Sequence, residues 1–600
     1  MTSTRPSERP GVGSTPYAGG VTFRVWAPNA AGASVVRPAE PVEPTAPLGA
    51  EPGGWWSADV DGAGVGDQYH YVLTLAGGPV RRLDPQAPHV VNSVGEAIVY
   101  DHAAFAWSDV GYVMPGWTEL VVYEMHVGSF NPPPTGGVGT FAEAEAKLPY
   151  LHDLGINAVE LMPVGEFAGD SSWGYNPGLP FAVESAYGGP DALKAFVAAA
   201  HALGMAVVLD VVYNHLGPSD NDLWAFDGSL DGAPGGIYFY GPPRGRTPFG
   251  DTRPDYGRSE VRDYLRENAQ AWLEHFRLDG LRFDATGYVR NIDGGNDSAG
   301  DIPDGWRLLQ EINDDVDARQ PWKLTVAEDM QDNDWVTRPT GGGGAGFDAQ
   351  WDPDFVRLLR EVLARPDDRA RSMDVVAGLI LRRYSDRTFA RVVYTESHDA
   401  DANGGTRVPK QIDSDHPDSY WAKKRSTLGA AIVLTAPGIP MLFQGQEFLE
   451  SWWFSDDHPL DWSKTETHPG ILALYRDLIR LRRDWFDTTR GLRGAGVDVH
   501  HVNDADKVVA FHRWDAGGPR DDVVVLANFA DRAYDGYVIG VPRPGTWRVR
   551  FNGDWPGYDA TFGGQASFDA QTRHGPADGL PWSIGVGLGP YAAVILSQDD

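Results

Sequence analysis

Short apolar runs alternate with helical patterns from Glu119 to about residue 490, and this alternation constrains the fold more than any other feature. The eight runs are LVVYEMHV, INAVELMPV, MAVVLDVVYNH, LDGLRFDA, KLTVAED, GFDAQWD, RVVYTESHD and GIPMLFQGQE. The helical patterns between them include TFAEAEAKLPYLHDLG, GPDALKAFVAAAHALG and SEVRDYLRENAQAWLEHF. This order predicts parallel strands joined by crossover helices. Since eight such strands close a barrel, we predict an α/β chain built on a (β/α)8 TIM barrel.

Both flanks of the predicted barrel instead alternate apolar and polar residues, as β-strands do. The flanking runs are GVTFRVWAPNAAGASVV, GGWWSADV and DQYHYVLTL before the barrel, and DKVVAFHRW, DVVVLANFA, YDGYVIGV, TWRVRFNG and YAAVILSQ after it. We therefore predict three domains. They are an N-terminal β-sandwich over residues 1–108, the barrel over 109–490 with a loop insert at about 215–257, and a C-terminal all-β domain, a β-sandwich, over 491–600.

Composition excludes several classes of function. The net charge of −33 opposes binding to nucleic acid and to anionic membranes. The absence of cysteine excludes disulfides, thiolate metal sites and a cysteine nucleophile. The N-terminus lacks an apolar signal region, and the simplest location is the cytoplasm. The 21 tryptophans suit a protein that stacks aromatic rings on sugars, although large hydrophobic cores also contain many aromatic residues.

Polar and charged side chains follow the third, fourth, fifth and seventh predicted strands. They are Asp210, Asn214 and His215; Arg282 and Asp284; Glu328 and Asp329; and Glu396, His398 and Asp399. In a (β/α)8 barrel this end of the strands carries the catalytic groups. One acidic strand end is usually a helix N-cap, but four in succession with Arg and His between them favour an active site.

The stretch LDGLRFDATGYV suggests the chemistry, because Arg282 and Asp284 lie two residues apart on one strand face. Retaining glycosidases use an ionised carboxylate as nucleophile and a protonated carboxyl as acid, about 5–5.5 Å apart. Arg282 is placed to keep Asp284 ionised, and neighbouring negative charge is expected to raise the pKa of Glu328 so that it serves as the acid. Asp399 is a candidate for stabilising a cationic sugar ring.

His215 and His398 are candidates for hydrogen bonds to sugar hydroxyls, although packing within the loops explains histidines at these positions nearly as well. A metal-dependent hydrolase on a similar barrel is the competing class of enzyme. It requires clustered histidines at the strand ends, whereas these two stand alone in the sequence.

Four motifs resemble the conserved regions of the α-amylase family, glycoside hydrolase family 13. They are DVVYNH (210–215), GLRFDA (280–285), VAED (326–329) and YTESHD (394–399), in the family's order. VTFRVWAPNA resembles the start of a family-48 carbohydrate-binding module, and the tail resembles the family's C-terminal domain. The resemblance implies that Asp284 is the nucleophile, Glu328 the general acid/base and Asp399 the transition-state stabiliser. It implies substrate contacts for the residues Trp173, Tyr175, Asp210, His215, Arg282 and His398.

The motifs leave the reaction open. ESHD, AED and the WGY motif, together with the N-terminal module, resemble the family's 1,4-α-glucan (glycogen) branching enzymes, which transfer a cleaved chain onto a 6-hydroxyl. The segment from EFAGDSSWGYNP to HLGPSDN also resembles maltooligosyltrehalose trehalohydrolases. Those usually carry NHDQ where this chain has SHDADANGG, and Ser397 replaces an Asn found in many members. We predict a branching enzyme acting on an α-1,4-glucan or maltooligosaccharide; the alternatives are a trehalohydrolase, an α-amylase or an inactive glucan-binding protein.

No cofactor and no metal are predicted. Asn214 matches a position that ligates structural calcium in many amylases of the family, but branching-type members often lack that site. Two aromatic groups outside the motifs are candidate glucan contacts. One is the Trp55–Trp56 pair, which is either an exposed glucan platform or part of a core, whereas Trp26 is expected in a core. The other is a rim group after the eighth strand, formed by Trp452, Trp453 and Phe454.

Overall fold

The predicted barrel is confirmed by a computed structural model that describes residues 5–38, 45–228 and 234–599. Eight parallel strands close on themselves, since the eighth pairs with the first. They are β1 (Val122–Met125), β2 (Ala158–Leu161), β3 (Ala206–Val211), β4 (Gly280–Phe283), β5 (Leu324–Ala327), β6 (Ala349–Trp351), β7 (Arg391–Val393) and β8 (Ile439–Phe443). Nearly every residue of these strands is buried, as expected for a sheet that is covered on both faces.

Helices surround the barrel. The longer ones are Leu148–Leu154, Gly189–Ala202, Ser259–His275, Pro303–Arg319, Pro353–Ala364, Met373–Leu381, Tyr420–Thr435 and Pro469–Arg482. The shorter ones are Val127–Phe130, Phe141–Glu145, Thr286–Arg290, Val408–Ile412 and Lys464–Thr467. The helical pattern TFAEAEAKLPYLHDLG is confirmed, and the chain forms two helices there, Phe141–Glu145 and Leu148–Leu154. Pro149 lies in the first turn of the second one, where its missing N–H leaves no helical bond unmade.

The N-terminal β-domain has two sheets. One contains Gly13–Tyr17, Gly20–Trp26, Gly49–Glu51 and Trp55–Asp61; the other contains Gly32–Val36, Thr45–Pro47, Gln68–Leu75, Gly78–Arg82 and Ala97–Ile98. Trp26 is buried in the core, as expected. Of the two alternatives for Trp55 and Trp56, the structure supports the core and not the exposed platform, since both rings are half-buried and pack against that core. Nε1 of Trp56 donates to the carbonyl oxygen of Ala27 at 3.0 Å, so the pair forms no free platform.

The C-terminal domain is all-β, also as predicted. One sheet contains Gly496–Asn503, Val508–Trp514, Val523–Asn528, Thr546–Asn552, Ala570–Gln571 and Ala593–Ser597; the other contains Tyr534–Val541, Arg573–Ala577 and Leu580–Leu588. Four of these strands were not predicted: Gly496–Asn503, Ala570–Gln571, Arg573–Ala577 and Leu580–Leu588. The domain limits at residues 108/109 and 490/491 stay predictions.

Two segments on the carboxyl side of the barrel strands, where the predicted catalytic residues lie, differ in structure. The segment after β2 forms an antiparallel hairpin of Gly165–Phe167 and Pro177–Val183, which the sequence did not predict and which carries the WGYNP motif. In the insert at 215–257, the described residues form only isolated bridges, at Phe239–Pro254 and Thr247–Gly250. No helix in the described ranges is both long and apolar enough to cross a membrane.

Candidate active site

The guanidinium of Arg282 is the centre of the site at the carboxyl end of β4. Its side chain is fully buried, and Asp210 on β3 lies beside it in the strand register. Nη1 donates to Oδ2 of Asp210 at 2.6 Å and to Oδ1 of Asp284 at 3.1 Å. Nη2 lies 3.0 Å from Oε2 of Glu328 without the alignment of a hydrogen bond. One cation therefore contacts three of the carboxyl groups that the sequence singled out.

Asp284 is held by its neighbour strand and by Asn214. Its backbone N–H donates to the carbonyl oxygen of Val211 at 2.9 Å, and its Oδ2 accepts from Nδ2 of Asn214 at 2.6 Å. Oδ1 of Asn214 lies 2.6 Å from Nδ1 of His215. Burial lowers the pKa of His215, which favours the neutral ring at neutral pH. The Asp284 carboxylate is thus oriented by an amide as well as by Arg282.

These contacts do not fit the calcium site that many family amylases have. Calcium needs about six to eight oxygen ligands, whereas both ends of the Asn214 amide are already bound to protein groups. Among the described residues, no group of three or more His, Asp or Glu side chains is arranged to hold a metal ion.

Glu328 is a buried acid with a defined free oxygen. Its Oε2 accepts a hydrogen bond from the backbone N–H of Ala285 at 2.8 Å. Ala285 has a φ of 40°, which is uncommon for a residue other than glycine and turns the chain directly after Asp284. Burial is the largest cause that raises the pKa of Glu328 to about 8; the carboxylates of Asp284 and Asp399 add to it, and Arg282 opposes it. Since Oε2 already faces two donors, the proton of the neutral acid belongs on Oε1.

His398 lies between two carboxylates. Its backbone N–H donates to Oε2 of Glu124 at 3.1 Å, and its Nδ1 contacts the other oxygen of the same group. Its Nε2 is 3.8 Å from Oδ1 of Asp399, whose side chain is half exposed. Burial opposes the charged ring, but Glu124 and Asp399 outweigh it and raise the pKa of His398 to about 9. At neutral pH the ring is therefore a cation with an N–H at the cavity wall.

Tyr175 connects the hairpin after β2 to this group. Its ring stacks on His398 with centroids 4.9 Å apart, and its hydroxyl donates to Oδ2 of Asp210. Trp173 packs against the edge of the same imidazole at 6.1 Å. The WGYNP motif thus places two rings at the cavity.

The cavity has a volume of about 350 Å³, and its lining includes Asp284, Glu328 and Asp399. Aromatic side chains form much of its wall: Trp173, Tyr175, His215, Phe249, Tyr288 and His398. Phe249 comes from the long insert and stacks on His215 with centroids 4.8 Å apart. A polar floor with aromatic walls suits a sugar ring.

Some predicted residues have other partners. Asp329 forms two hydrogen bonds to Arg290, at 2.7 and 2.8 Å, and Glu396 pairs with Arg407 at 3.0 Å. Both carboxylates are therefore held by structural ion pairs. In the predicted rim group Phe454 is wrong, because its ring is buried between Trp173 and Phe443, whereas Trp452 and Trp453 are exposed.

Sequence reasoning missed Glu124 and Phe249. Glu124 is the only carboxylate in the apolar run LVVYEMHV, and an isolated charge in a buried strand was the one sign in the sequence that it has a functional partner. Phe249 lies in an irregular insert, and no periodic pattern placed its ring on His215.

Comparisons with known proteins agree with this architecture. The α-amylase catalytic domain matches residues 125–234 and 251–485, carbohydrate-binding module 48 (isoamylase N-terminal domain) matches 11–87, and the α-amylase C-terminal all-β domain matches 499–599.

Proteins that are similar along nearly the whole of this chain include 1,4-α-glucan branching enzymes. The one from Nocardia farcinica is 32% identical over 611 residues, covering 96% of this chain and 78% of its own length. That of Kitasatospora aureofaciens is 31% identical over 635 residues, covering 99% and 78%. In fold, the chain is similar to a pullulanase from Paenibacillus barengoltzii in complex with maltohexaose and α-cyclodextrin. The TM-score is 0.77 at 21% identity, covering 99% of this chain and 96% of that one.

A catalytic-domain match over more than half of the chain, together with relatives above 30% identity along nearly all of it, determines the family. The closed barrel and both flanking β-domains are the architecture that these matches require. This chain is an enzyme of the α-amylase family, glycoside hydrolase family 13.

Proposed function

We propose that this enzyme is a 1,4-α-glucan branching enzyme: it cleaves an α-1,4 bond and joins the released chain to a 6-hydroxyl. The observation that carries the cleavage chemistry is the group around Arg282, where Asp284 is hydrogen-bonded to the cation and Glu328 is a buried acid. The transfer to a sugar hydroxyl is supported by the full-length relatives, which are named branching enzymes.

In the first step a carboxylate oxygen of Asp284 attacks C1 of the sugar while Glu328 donates its proton from Oε1 to the departing glycosidic oxygen. A C1–oxygen ester bond forms as the glycosidic bond breaks. The pKa of about 8 keeps Glu328 protonated at neutral pH, as this step requires. Asp399 lines the same cavity, and its carboxylate stabilises the positive charge that develops on the ring.

In the second step the Glu328 carboxylate takes the proton of a 6-hydroxyl, and that oxygen attacks C1 and releases Asp284. The same geometry serves water, so the attacking group decides between transfer and hydrolysis. His398, with an N–H at the cavity wall, and Tyr175, stacked on it, are proposed to hold the sugar whose C1 reacts.

The test is a time course with amylose in which reducing ends and α-1,6 anomeric protons are measured in the same samples. New α-1,6 signal with few new reducing ends supports the proposed transfer. Reducing ends without α-1,6 signal identify a hydrolase instead. If neither changes, maltooligosyltrehalose is the next substrate, and release of trehalose identifies a trehalohydrolase. The Asp284→Asn variant is the control for contaminating activity.

A further inference from the structure

A cavity of about 490 Å³ lies between the outside of the barrel and the C-terminal domain. Its lining residues come from the barrel helix Tyr420–Thr435, from the segment at 366–369 and from two loops of the C-terminal domain, at Asp531 and Tyr591. It shares no lining residue with the catalytic cavity. We name it the C-terminal cavity.

Arg425 brings a buried cation without an ion partner to the wall of the C-terminal cavity. The residue is 5% exposed, and no carboxylate in the described part of the chain forms an ion pair with it. Burial and the neighbouring charge of Arg371 lower the pKa of Arg425 to about 10. Because a buried guanidinium is almost always paired, this one is arranged to receive an anionic group.

The free edge of this guanidinium has the geometry that binds phosphate. Nη1 of Arg425 donates to the carbonyl oxygens of Leu363 and Arg365, both at 2.9 Å. Nε is buried without a partner, and Nη2 forms no hydrogen bond with a described residue. These two nitrogens present parallel N–H groups, which bind two oxygens of a phosphate or carboxylate at once. The Nε–Nη2 edge is therefore the one that remains for a ligand.

A second unpaired guanidinium lines the same cavity. Arg369 is exposed, and its side chain has neither an ion pair nor a hydrogen bond with any residue that the structure describes. The nearby Arg371 differs, because it is already paired with Asp368. Two cations without partners favour a ligand that carries a full negative charge, such as a phosphate group.

Two carboxylates of the lining lack a cation as well. Asp367 and Asp531 form no ion pair within the described ranges, and Asp367 accepts one hydrogen bond, from the backbone N–H of Arg369 at 2.9 Å. Burial and the charge of Asp368 raise the pKa of Asp531. These carboxylates repel a bare anion, whereas sugar hydroxyls donate hydrogen bonds to them. The lining therefore suits a ligand with both a phosphate group and hydroxyl groups.

Trp421 adds a flat apolar surface to the cavity. Its side chain is 40% exposed, and its ring lies edge to face with Tyr591, with centroids 5.9 Å apart. A half-exposed indole beside groups that bind hydroxyls suits one face of a sugar ring. A hexose phosphate combines the ring, the hydroxyl groups and the negative charge in one small molecule.

We propose that the C-terminal cavity binds a hexose phosphate. Arg425 and Arg369 hold its phosphate group. Asp367 and Asp531 accept hydrogen bonds from its hydroxyl groups, and Trp421 packs against its ring. The ligand contacts the barrel and the C-terminal domain together, so its binding stabilises the folded enzyme. Binding at this cavity does not depend on whether the enzyme branches or hydrolyses glucans.

The experiment is a calorimetric titration of the full chain with glucose 6-phosphate, in the absence of glucan. One saturable site per chain is expected. Inorganic phosphate and glucose are each expected to bind about tenfold more weakly or worse, because each makes only part of the contacts. Arg425→Met is expected to lower the affinity for glucose 6-phosphate by about tenfold or more. Since Arg425 also bonds to two backbone carbonyls, the thermal midpoint of this variant without ligand shows that it is folded during the titration.

Trp421→Ala tests the same cavity without removing a buried hydrogen bond, and it is expected to weaken glucose 6-phosphate severalfold. Trp485→Ala is the matched control. Trp485 is 48% exposed beside two arginines, Arg480 and Arg483, but lies outside the cavity, so the affinity stays unchanged. Asp531→Ala weakens glucose 6-phosphate, whose hydroxyls lose an acceptor, and does not weaken inorganic phosphate, which the carboxylate only repels.

The absence of saturable binding overturns the proposal, and so does an affinity that survives both Arg425→Met and Trp421→Ala. Inorganic phosphate that binds as tightly as glucose 6-phosphate, with both unaffected by Asp531→Ala, means that the cavity holds a free phosphate ion and overturns the assignment of the sugar. The titrations contain no glucan, so their outcome is independent of the test with amylose.

Discussion

Oε2 of Glu328 lies 3.0 Å from Nη2 of Arg282, with both side chains buried, yet the two groups are not aligned for a hydrogen bond. The aligned hydrogen bonds of the guanidinium go from Nη1 to Asp210 and Asp284. A cation favours the charged form most strongly where it also donates a hydrogen bond. The hydrogen bonding of Arg282 thus distinguishes Asp284 from Glu328, the two carboxyl groups proposed as nucleophile and acid.

Replacing Asp284 by alanine is expected to lower kcat by about 10⁴-fold or more, because the attacking oxygen is lost. The protein remains folded, since Arg282 keeps its bond to Asp210 at 2.6 Å. The measurement is amylose turnover together with the thermal midpoint, for which the wild-type chain is the reference. Turnover within about tenfold of wild type means that another group attacks.

Glu328→Gln is expected to lower glucan turnover by about 10²- to 10⁴-fold, because the amide cannot transfer a proton to the leaving oxygen as a carboxylic acid does. Its carbonyl can still accept from the Ala285 N–H. In α-maltosyl fluoride the leaving group is a fluoride ion, which departs without being protonated. The variant is therefore still expected to form the glycosyl-enzyme from this substrate, and mass spectrometry detects it. An equal loss with the fluoride and with amylose contradicts the role of acid.

Activity on amylose is expected to fall as the pH rises through about 8. The pKa of Glu328 is raised to about 8, so the reactive protonated form is present below that pH and is lost above it. One pH unit above the pKa, kcat/KM falls about tenfold. The check is a pH profile of kcat/KM. The control is the residual turnover of α-maltosyl fluoride by Glu328→Gln, which is expected not to fall as the pH rises through about 8. If it does fall there, a group other than Glu328 causes the loss of activity.

The sequence was sufficient for the barrel because the strands are short apolar runs between helical patterns, and several end at a polar residue, as in GLRFDA. Asp284 and Glu328 follow their strands directly, so the topology alone brings them to one face. Glu124 was missed because its role depends on a contact with His398, which is 274 residues away in the chain.

Other errors have similarly local causes. Phe454 follows two exposed tryptophans, and nothing in EFLESWWFSDD indicates that the chain turns its ring inward against Trp173. The strand Arg573–Ala577 contains glycine and proline and lacks alternation, so tertiary pairing determines it. Leu580–Leu588 alternates apolar residues with Pro, Ser and Gly, and its glycine and proline obscured that pattern.

Lys424→Ala is expected to destabilise the enzyme by about 3–5 kcal/mol, because it leaves a buried carboxylate without its cation. Nζ of Lys424, on a barrel helix, lies 2.7 Å from Oδ1 of Asp554 in the C-terminal domain, and both side chains are fully buried. Arg520→Ala is the control, since its pair with Asp487 at 2.9 Å is exposed and contributes about 0–1 kcal/mol. Thermal unfolding compares the two variants, and equal small shifts contradict the prediction.

Glu124→Gln is expected to lower kcat on amylose by about 10- to 100-fold, because Glu124 both positions His398 and keeps it charged. The amide retains an oxygen for the His398 N–H but has no negative charge, so the pKa of His398 falls below about 9. In wild type the alkaline loss begins with Glu328, at about pH 8; without the Glu124 charge we expect the pKa of His398 to fall below that of Glu328, so that the loss begins at a lower pH, which the pH profile of kcat measures. Glu160→Gln is the matched control. Glu160 lies beside Glu124 in the strand register and is equally buried, and burial with the Glu124 charge raises its pKa well above the usual range. The raised pKa favours the neutral carboxyl group, so the change to glutamine is expected to leave the pH profile in place. If both variants lose the same activity with unchanged pH profiles, Glu124 acts only in packing.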